Sequence, residues 1–408
     1  MNPPHPGPNL QSTDQVLNRI YLWSKKQDFR GFNKHDGLNS PLLNLLLGWA
    51  KWPRIIAIQT VMRSPVNIRP LLGVSRTVNP KGLALFTLGL LDRYGSSGDP
   101  AFLSEAEEIL AILKERRSNR NLWSGNCWGY PYPWQDLGFF APTNTPNAVV
   151  TSFVCEAFLQ AFRVTGKKEY LETVASSIRF FLSDLTIIEE TPVSLCLGYM
   201  PLPMTMKVMD VSILIGAVLA QFGALSGQKE YSEHARRLVN FVVSKQTEYG
   251  AWFYTDPPED SPIGHDNYHT GFILDALWRY MEATGEWNWK RNYQEGLRFY
   301  AEKLFNNDGS PRWMSDKDYP HDIHGAAQGL ITFSIASKNG FDYTNLLENI
   351  LNWSIEYMYD HEGRFYYQQR KYYTVKFTLL RWCNAWMFRG LSAYISTFTN
   401  PKEGMQLH

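Results

Sequence analysis

The segments 94 YGSSGDPAFLSEAEEILAIL, 162 FRVTGKKEYLETVASSIRFFL, 222 FGALSGQKEYSEHARRLVNFV, 281 MEATGEWNWKRNYQEGLRFYAEKL and 336 ASKNGFDYTNLLENILNWSI share one grammar. A helix ends, a small-residue turn with glycine follows, and an aromatic leads into a second helix. The turn glycines Gly98, Gly166, Gly227, Gly285 and Gly340 recur at intervals of 55 to 68 residues. A helix that stops and reverses needs a left-handed residue at its end, which glycine supplies without a Cβ clash. The repeat is therefore a helical hairpin used five times.

Before each turn lies a uniformly apolar helix, such as 148 AVVTSFVCEAFLQAF or 211 VSILIGAVLAQFGAL, and after it an amphipathic one with charges on one face. This predicts an inner ring of buried helices and an outer ring of solvated ones. A sixth inner helix is available at 382 WCNAWMFRGLSAYI, and its partner can be 12 STDQVLNRIYLWSKKQ 27, which opens with capping residues. Six hairpins closed by the two chain ends make an all-α (α/α)6 toroid spanning 1–408 as one domain. Residues 28–79 form an irregular and helical insertion packed on the barrel, and 1–11 and 400–408 are expected to be flexible tails.

A chain of 408 residues that is 44% hydrophobic can bury such a core. A net charge of +1 gives no reason to expect nucleic acid as a partner. Cys127, Cys155, Cys196 and Cys383 are widely spread with no CxxC pair, so reduced and mostly buried thiols are expected. The N-terminal stretch lacks signal-peptide character, which gives the expectation of a cytoplasmic protein. The apolar stretch 41 PLLNLLLGWAKWPRIIAIQTVM 62 is interrupted by Lys51, Pro53 and Arg54, so it predicts no membrane span, although peripheral contact with a membrane remains open. The oligomeric state is not legible.

In a closed ring the inner helices run in one direction, so the loops from each outer helix to the next inner helix gather at one mouth. These loops are long and rich in Trp, Tyr, His and Asp. Trp128, Tyr130, Trp134, Trp252, Trp313 and Tyr367 offer flat faces. Asp136, Asp210, His265 and Arg381 offer directional polar groups. Sugars carry apolar C–H faces beside many hydroxyls, so the mixture predicts an oligo- or polysaccharide. Phosphate-binding glycine motifs are absent from the sequence.

The six-hairpin pattern, with pieces such as 250 GAWFY, 309 GSPRW and 363 GRFYY before inner helices, resembles the six-hairpin glycosidase-type toroids. That superfamily includes glycoside hydrolases, polysaccharide lyases and sugar epimerases. The segments 35 HDGLNSPLL, 65 PVNIRPLLG, 78 VNPKGLALF and 321 HDIHGAAQG also resemble toroids encoded beside cell-surface polysaccharide biosynthesis genes. The resemblance implies a carbohydrate-active enzyme on a bacterial cell-surface or capsular glycan, with uronate residues expected.

Two chemistries fit the residues. In glycosidases of this superfamily, acids at inner-helix starts protonate the leaving oxygen and activate water, which puts Asp266 and Asp322 forward for hydrolysis. The clusters 265 HDNYH 269 and 321 HDIH 324 instead allow a lyase or uronyl epimerase, with His321, His324, His269 and Tyr268 moving protons and Arg381 on the sugar carboxylate. The repeated Asp positions place hydrolysis first. A noncatalytic glycan-binding scaffold is the third reading. With no HExxH frame or paired cysteines, no metal or other cofactor is expected.

Overall fold

The computed structural model describes residues 10–399. The predicted tails lie outside the described residues, apart from Leu10 and Gln11, which open the first helix. The chain begins with α1 (Leu10–Lys26), followed by a helical insertion carrying α2 (Pro41–Leu47) and α3 (Lys51–Arg63). Five hairpins follow, each an inner helix and then an outer one. They are α4 (Pro80–Ser97) with α5 (Pro100–Glu115), α6 (Ala148–Thr165) with α7 (Lys168–Ser183), α8 (Met209–Ser226) with α9 (Glu230–Val243), α10 (Asn267–Thr284) with α11 (Lys290–Leu304), and α12 (Ile323–Lys338) with α13 (Thr344–Met358). A π-helical turn at Arg381–Ala385 leads into α14 (Trp386–Phe398), the sixth inner helix.

Each inner helix packs on the next, and α14 packs on α4, so the ring is closed. The closure is specific. Phe388 of α14 fills the space beside Gly89 of α4, where a Cβ would sit 2.6 Å from its ring. Arg389 of α14 forms an ion pair with Asp92 of α4. On the outside, α1 is the partner of α14: Tyr21 packs on Phe388 at 5.2 Å, and Asn384 donates to Ser24 Oγ. Gly98, Gly166, Gly227 and Gly285 end their inner helices with φ between +66° and +74°, and Gly340 turns at +87°. The fold is the expected (α/α)6 toroid, with short antiparallel strand pairs in the loops on the mouth side.

Asn79, Asn147 and Asp322 cap inner helices with side-chain acceptors, so the mouth end of the ring is held by local chemistry. Inner helices α6 and α8 are as long and apolar as spanning segments, and both are buried inside the ring. All four cysteines are buried and unpaired. The glycines of 325 GAAQG serve packing beside the helix start: Gly329 admits the ring of Phe305, and Ala327 lies against Gly390 of α14.

Further along the inner helices lies a buried polar layer. Gln328 Nε2 donates to Asp275 Oδ2 at 2.7 Å, and Gln221 Nε2 donates to Glu156 Oε2 at 2.7 Å. Burial pushes the Asp275 carboxyl up to about 6. The native state therefore keeps a proton that the unfolded chain, with a carboxyl near ~3.9, releases. Its contribution to stability is intact below about pH 4 and is lost as pH rises through 6. Asp275→Asn is expected to remove that loss, raising stability at pH 7 by about 1–3 kcal/mol and flattening the profile from pH 4 to 7. Urea midpoints across this range read it; an unchanged slope would contradict the assignment.

Candidate active site

Asp266 and Asp322 stand at the N-caps of neighbouring inner helices, α10 and α12. Asp322 is fully engaged. Its Oδ1 accepts from the His324 amide (3.0 Å) and from Trp382 Nε1 (2.8 Å), and its Oδ2 accepts from Gln368 Nε2 (2.6 Å). Asp266 makes no cap bond, and its Oδ2 accepts from His269 Nδ1 at 2.8 Å. A carboxylate can only accept, so His269 Nδ1 carries a proton in this bond, and Nε2 is the nitrogen left to exchange one.

Tyr268 lies between two histidines. Its ring is parallel to that of His324 at 4.5 Å and tilted against His269 at 4.4 Å. His324 is enclosed by Tyr268, Trp382 and Trp386, and neither ring nitrogen has a hydrogen-bond partner among the described residues. Burial, reinforced by the nearby Lys81 and Arg381 charges, holds this imidazole well below the ordinary histidine range, so it is neutral. A buried ring with two unpaired nitrogens costs stability unless something else bonds to them. The Tyr268 phenol is held well above its usual range, first by burial and then by the Asp266 and Asp322 charges.

Three cations surround this group. Lys34 Nζ sits 3.9 Å from the Trp382 ring centroid and 5.3 Å from that of Trp313. Lys81 Nζ sits 4.0 Å from Phe153 and 4.6 Å from Phe272. Neither ammonium has a hydrogen bond or ion pair among the described residues, and aromatic faces lie close to both. Burial pushes Lys34 down to about 8 against the pull of Asp322, and holds Lys81 well below the lysine range. Arg381 lies over Tyr130 and Trp382, with Nε unpaired. The carboxyl of Asp210, in the first turn of α8, is raised by burial while His269 and Lys81 oppose the shift; its Oδ1 has no partner.

The insertion delivers Lys34. Arg69 and Asp36 form a buried ion pair at 2.8 Å, and Arg69 Nη2 also donates to the carbonyls of Asn33 and Lys34. That clamp fixes the backbone on both sides of the lysine. His35 stacks on Trp134, which meets Tyr130 and Tyr199 edge to face. Trp134, Tyr130 and Trp313 are thus around the cluster, Tyr367 is buried with its ring stacked on Phe377, and Asp136 stands exposed in the turn between the strands Trp134–Gln135 and Phe140–Ala141.

Four expected site residues are placed elsewhere by packing. Trp128 and Trp252 are buried pins between rings, donating their indole N–H to the carbonyls of Leu113 and Val242 on outer helices. His265 spends both nitrogens, on the Trp252 carbonyl and the Tyr249 hydroxyl. His321 bonds the Pro311 carbonyl and packs against Tyr319 and outer-helix Trp353. His321 and Asp322 are consecutive strand residues, so their side chains leave on opposite faces. The structure adds Lys34, Lys81, Gln368, Trp382 and Trp386. One signal for Lys81 was legible: a lysine in the first turn of an apolar helix sits against the helix dipole.

No protein-family model and no curated protein matches the chain. Solved structures do. A sugar epimerase from a ruminal bacterium is similar with a TM-score of 0.63 at 13% identity, over 80% of this chain and 91% of that one. An unsaturated glucuronyl hydrolase specific for heparin is similar with a TM-score of 0.61 at 14% identity, over 94% and 96%. A polysaccharide lyase is similar with a TM-score of 0.58 at 10% identity, over 94% and 97%. At these identities the likeness defines the fold alone: the chain is an (α/α)6 toroid. Three reaction types share that fold, so the chemistry must be argued from the site.

Proposed function

We propose that this protein is a carbohydrate-active enzyme that moves a proton at a carbon of an anionic sugar, as a uronate lyase or epimerase. The observation that carries the reading is the His324–Tyr268–His269 stack, in which one neutral histidine has both nitrogens unpaired and the other is oriented by Asp266. Removing a proton beside a uronate carboxylate builds negative charge on that group, which Lys34, Lys81 and Arg381 would stabilise. His324 or His269 takes the proton. In epimerisation a proton returns to the opposite face of the same carbon; in elimination the neighbouring C–O bond breaks, and the leaving oxygen takes a proton from the second acid group. A uronate-bearing glycan of the cell-surface kind supplies the required carboxylate, and the aromatic walls suit its ring faces. Toroid structures named as sugar epimerase and polysaccharide lyase support the reading at the level of fold.

Hydrolysis is the second reading, and Asp210 is the observation that favours it. Asp322 is held by three donors and Asp266 by His269, whereas Asp210 keeps an oxygen unpaired among the described residues; burial raises its carboxyl, as it does that of Asp322, in the direction a general acid needs. The test is incubation with uronate-containing oligosaccharides in deuterated water, with proton NMR, unsaturated-uronate absorbance and reducing ends read together. Deuterium at the carbon beside the carboxylate is expected for epimerisation, and new absorbance for elimination. New reducing ends with neither signal would replace this reading by hydrolysis. Binding without turnover on any oligosaccharide would overturn it.

A further inference from the structure

The insertion that delivers Lys34 carries an apolar surface that the ring does not use. Every residue of α2 is at least partly exposed, in a helix reading PLLNLLL. Leu45 is 79% exposed, Trp49 74%, Trp52 62% and Leu71 86%, with Leu42, Leu46, Ile56 and Val66 also exposed. Helix α3 buries Ala57, Ile58 and Val61 against the neighbouring loops, and its other side sets exposed Trp52 and Ile56 among Lys51, Thr60 and Arg63. A helix on the surface of a globular protein puts polar residues on its outer face. Helix α2 puts leucines there instead, and the exposed large apolar side chains of the insertion all fall in the one stretch from 42 to 71, which is more than scattered apolar exposure.

The segment that forms this surface carries charge of one sign, with Asp136 of the neighbouring turn within electrostatic reach of Lys51. No Asp or Glu occurs between Gly37 and Leu91, while Lys51, Arg54, Arg63, Arg69 and Arg76 do. Arg69 is neutralised by Asp36 and Arg54 is turned onto Phe140, but Lys51 and Arg63 are exposed beside the apolar residues. We infer that the α2–α3 hairpin is a docking surface for a lipid bilayer carrying anionic headgroups. Leucines enter the acyl boundary, Trp49 and Trp52 lie at headgroup level, and Lys51 and Arg63 meet the lipid charge, as for interfacial helices. Pairing of the same patch with a second copy would bring two positively charged segments together, since neither copy carries an acid between Gly37 and Leu91. The hairpin packs on Trp134 and Phe140 beside the mouth, so docking would hold the mouth close to the lipid surface. The inference does not depend on which reaction the site performs.

The test is co-sedimentation of the full chain with vesicles of phosphatidylcholine alone and of phosphatidylcholine mixed with phosphatidylglycerol, at low and high salt. Binding to the mixed vesicles is expected, weakened by salt. The triple variant Leu45→Ser, Trp49→Ser, Trp52→Ser should lose about tenfold or more in partitioning. Lys51→Glu with Arg63→Glu should remove the preference for the mixed vesicles. Circular dichroism checks that the variants are folded, and if the triple variant is not, the single Trp49→Ser and Trp52→Ser chains carry the comparison. Wild type remaining in the supernatant with both vesicles would overturn the inference. So would vesicle binding that survives the substitutions, or a dimer in light scattering that they dissolve without any vesicle binding.

Discussion

Replacing His324 by glutamine is expected to reduce turnover by about 10²–10⁴-fold, the usual contribution of a positioned acid or base, with little change in thermal stability. The two halves of that expectation have separate causes. The loss follows if the neutral imidazole is the group that takes or returns the proton. The intact stability follows because no hydrogen bond to either ring nitrogen is lost, while the amide N–H of residue 324 still donates to Asp322 and keeps the α12 cap. Asp266→Asn should cost less than this but more than a surface change, because an amide oxygen can still accept from His269 Nδ1 but carries no charge to stabilise the imidazolium once the ring takes a proton. Measured kcat and melting temperature decide the matter. Wild-type turnover in His324→Gln would remove this residue from the mechanism, and a collapse of stability would make it a packing residue.

Lys34→Met and Lys81→Met should move binding and stability in opposite directions. Each ammonium is buried against aromatic rings with no ionic partner among the described residues, an arrangement that costs the native state and makes sense if a bound anion completes it. A charged hydrogen bond is worth about 1.5–3 kcal/mol, so KM for a uronate substrate should rise by roughly ten- to a hundredfold in either variant. Melting temperature should rise at the same time. For Lys34 the sign can be checked: burial lowers its folded value to about 8 from 10.5, so at pH 7 the charged amine is a net cost of folding, and methionine removes about 1–3 kcal/mol of it. Substrate affinity in the wild type should fall as pH rises through about 8, where Lys34 loses its proton, and the fall should be absent in Lys34→Met. A neutral sugar bound equally by wild type and both variants would show that the cations are not a substrate site.

Much of this site was visible as residue types before it was visible as a site. The clusters HDNYH and HDIH were read as one mouth, and Tyr268, His269 and His324 do meet there. Their neighbours His265 and His321 do not, because each spends its ring on backbone carbonyls facing the outer ring. Tryptophans were the least legible. Trp128 and Trp252 look from the sequence like sugar platforms, yet an indole that can reach an outer-helix carbonyl is buried by the same area that would bind a ring face. Trp382 and Trp386 show the reverse, since the run WCNAWMF reads as core while the π-helical turn aims both indoles at His324.

The sequence alone determined the ring. Turn glycines, caps and the contrast between apolar and amphipathic helices are local properties, set within a few residues by backbone sterics and burial periodicity, and their repetition leaves closure as the way to cover six apolar helices. Only the tertiary structure decided which polar groups come together. Lys34 reaches Trp382, which packs on His324, because the Arg69–Asp36 clamp holds its backbone in the insertion, and Lys81, Asp210 and His269 converge because inner helices far apart in sequence start at the same level. Such juxtapositions depend on contacts between distant segments and leave no periodic trace in any one of them.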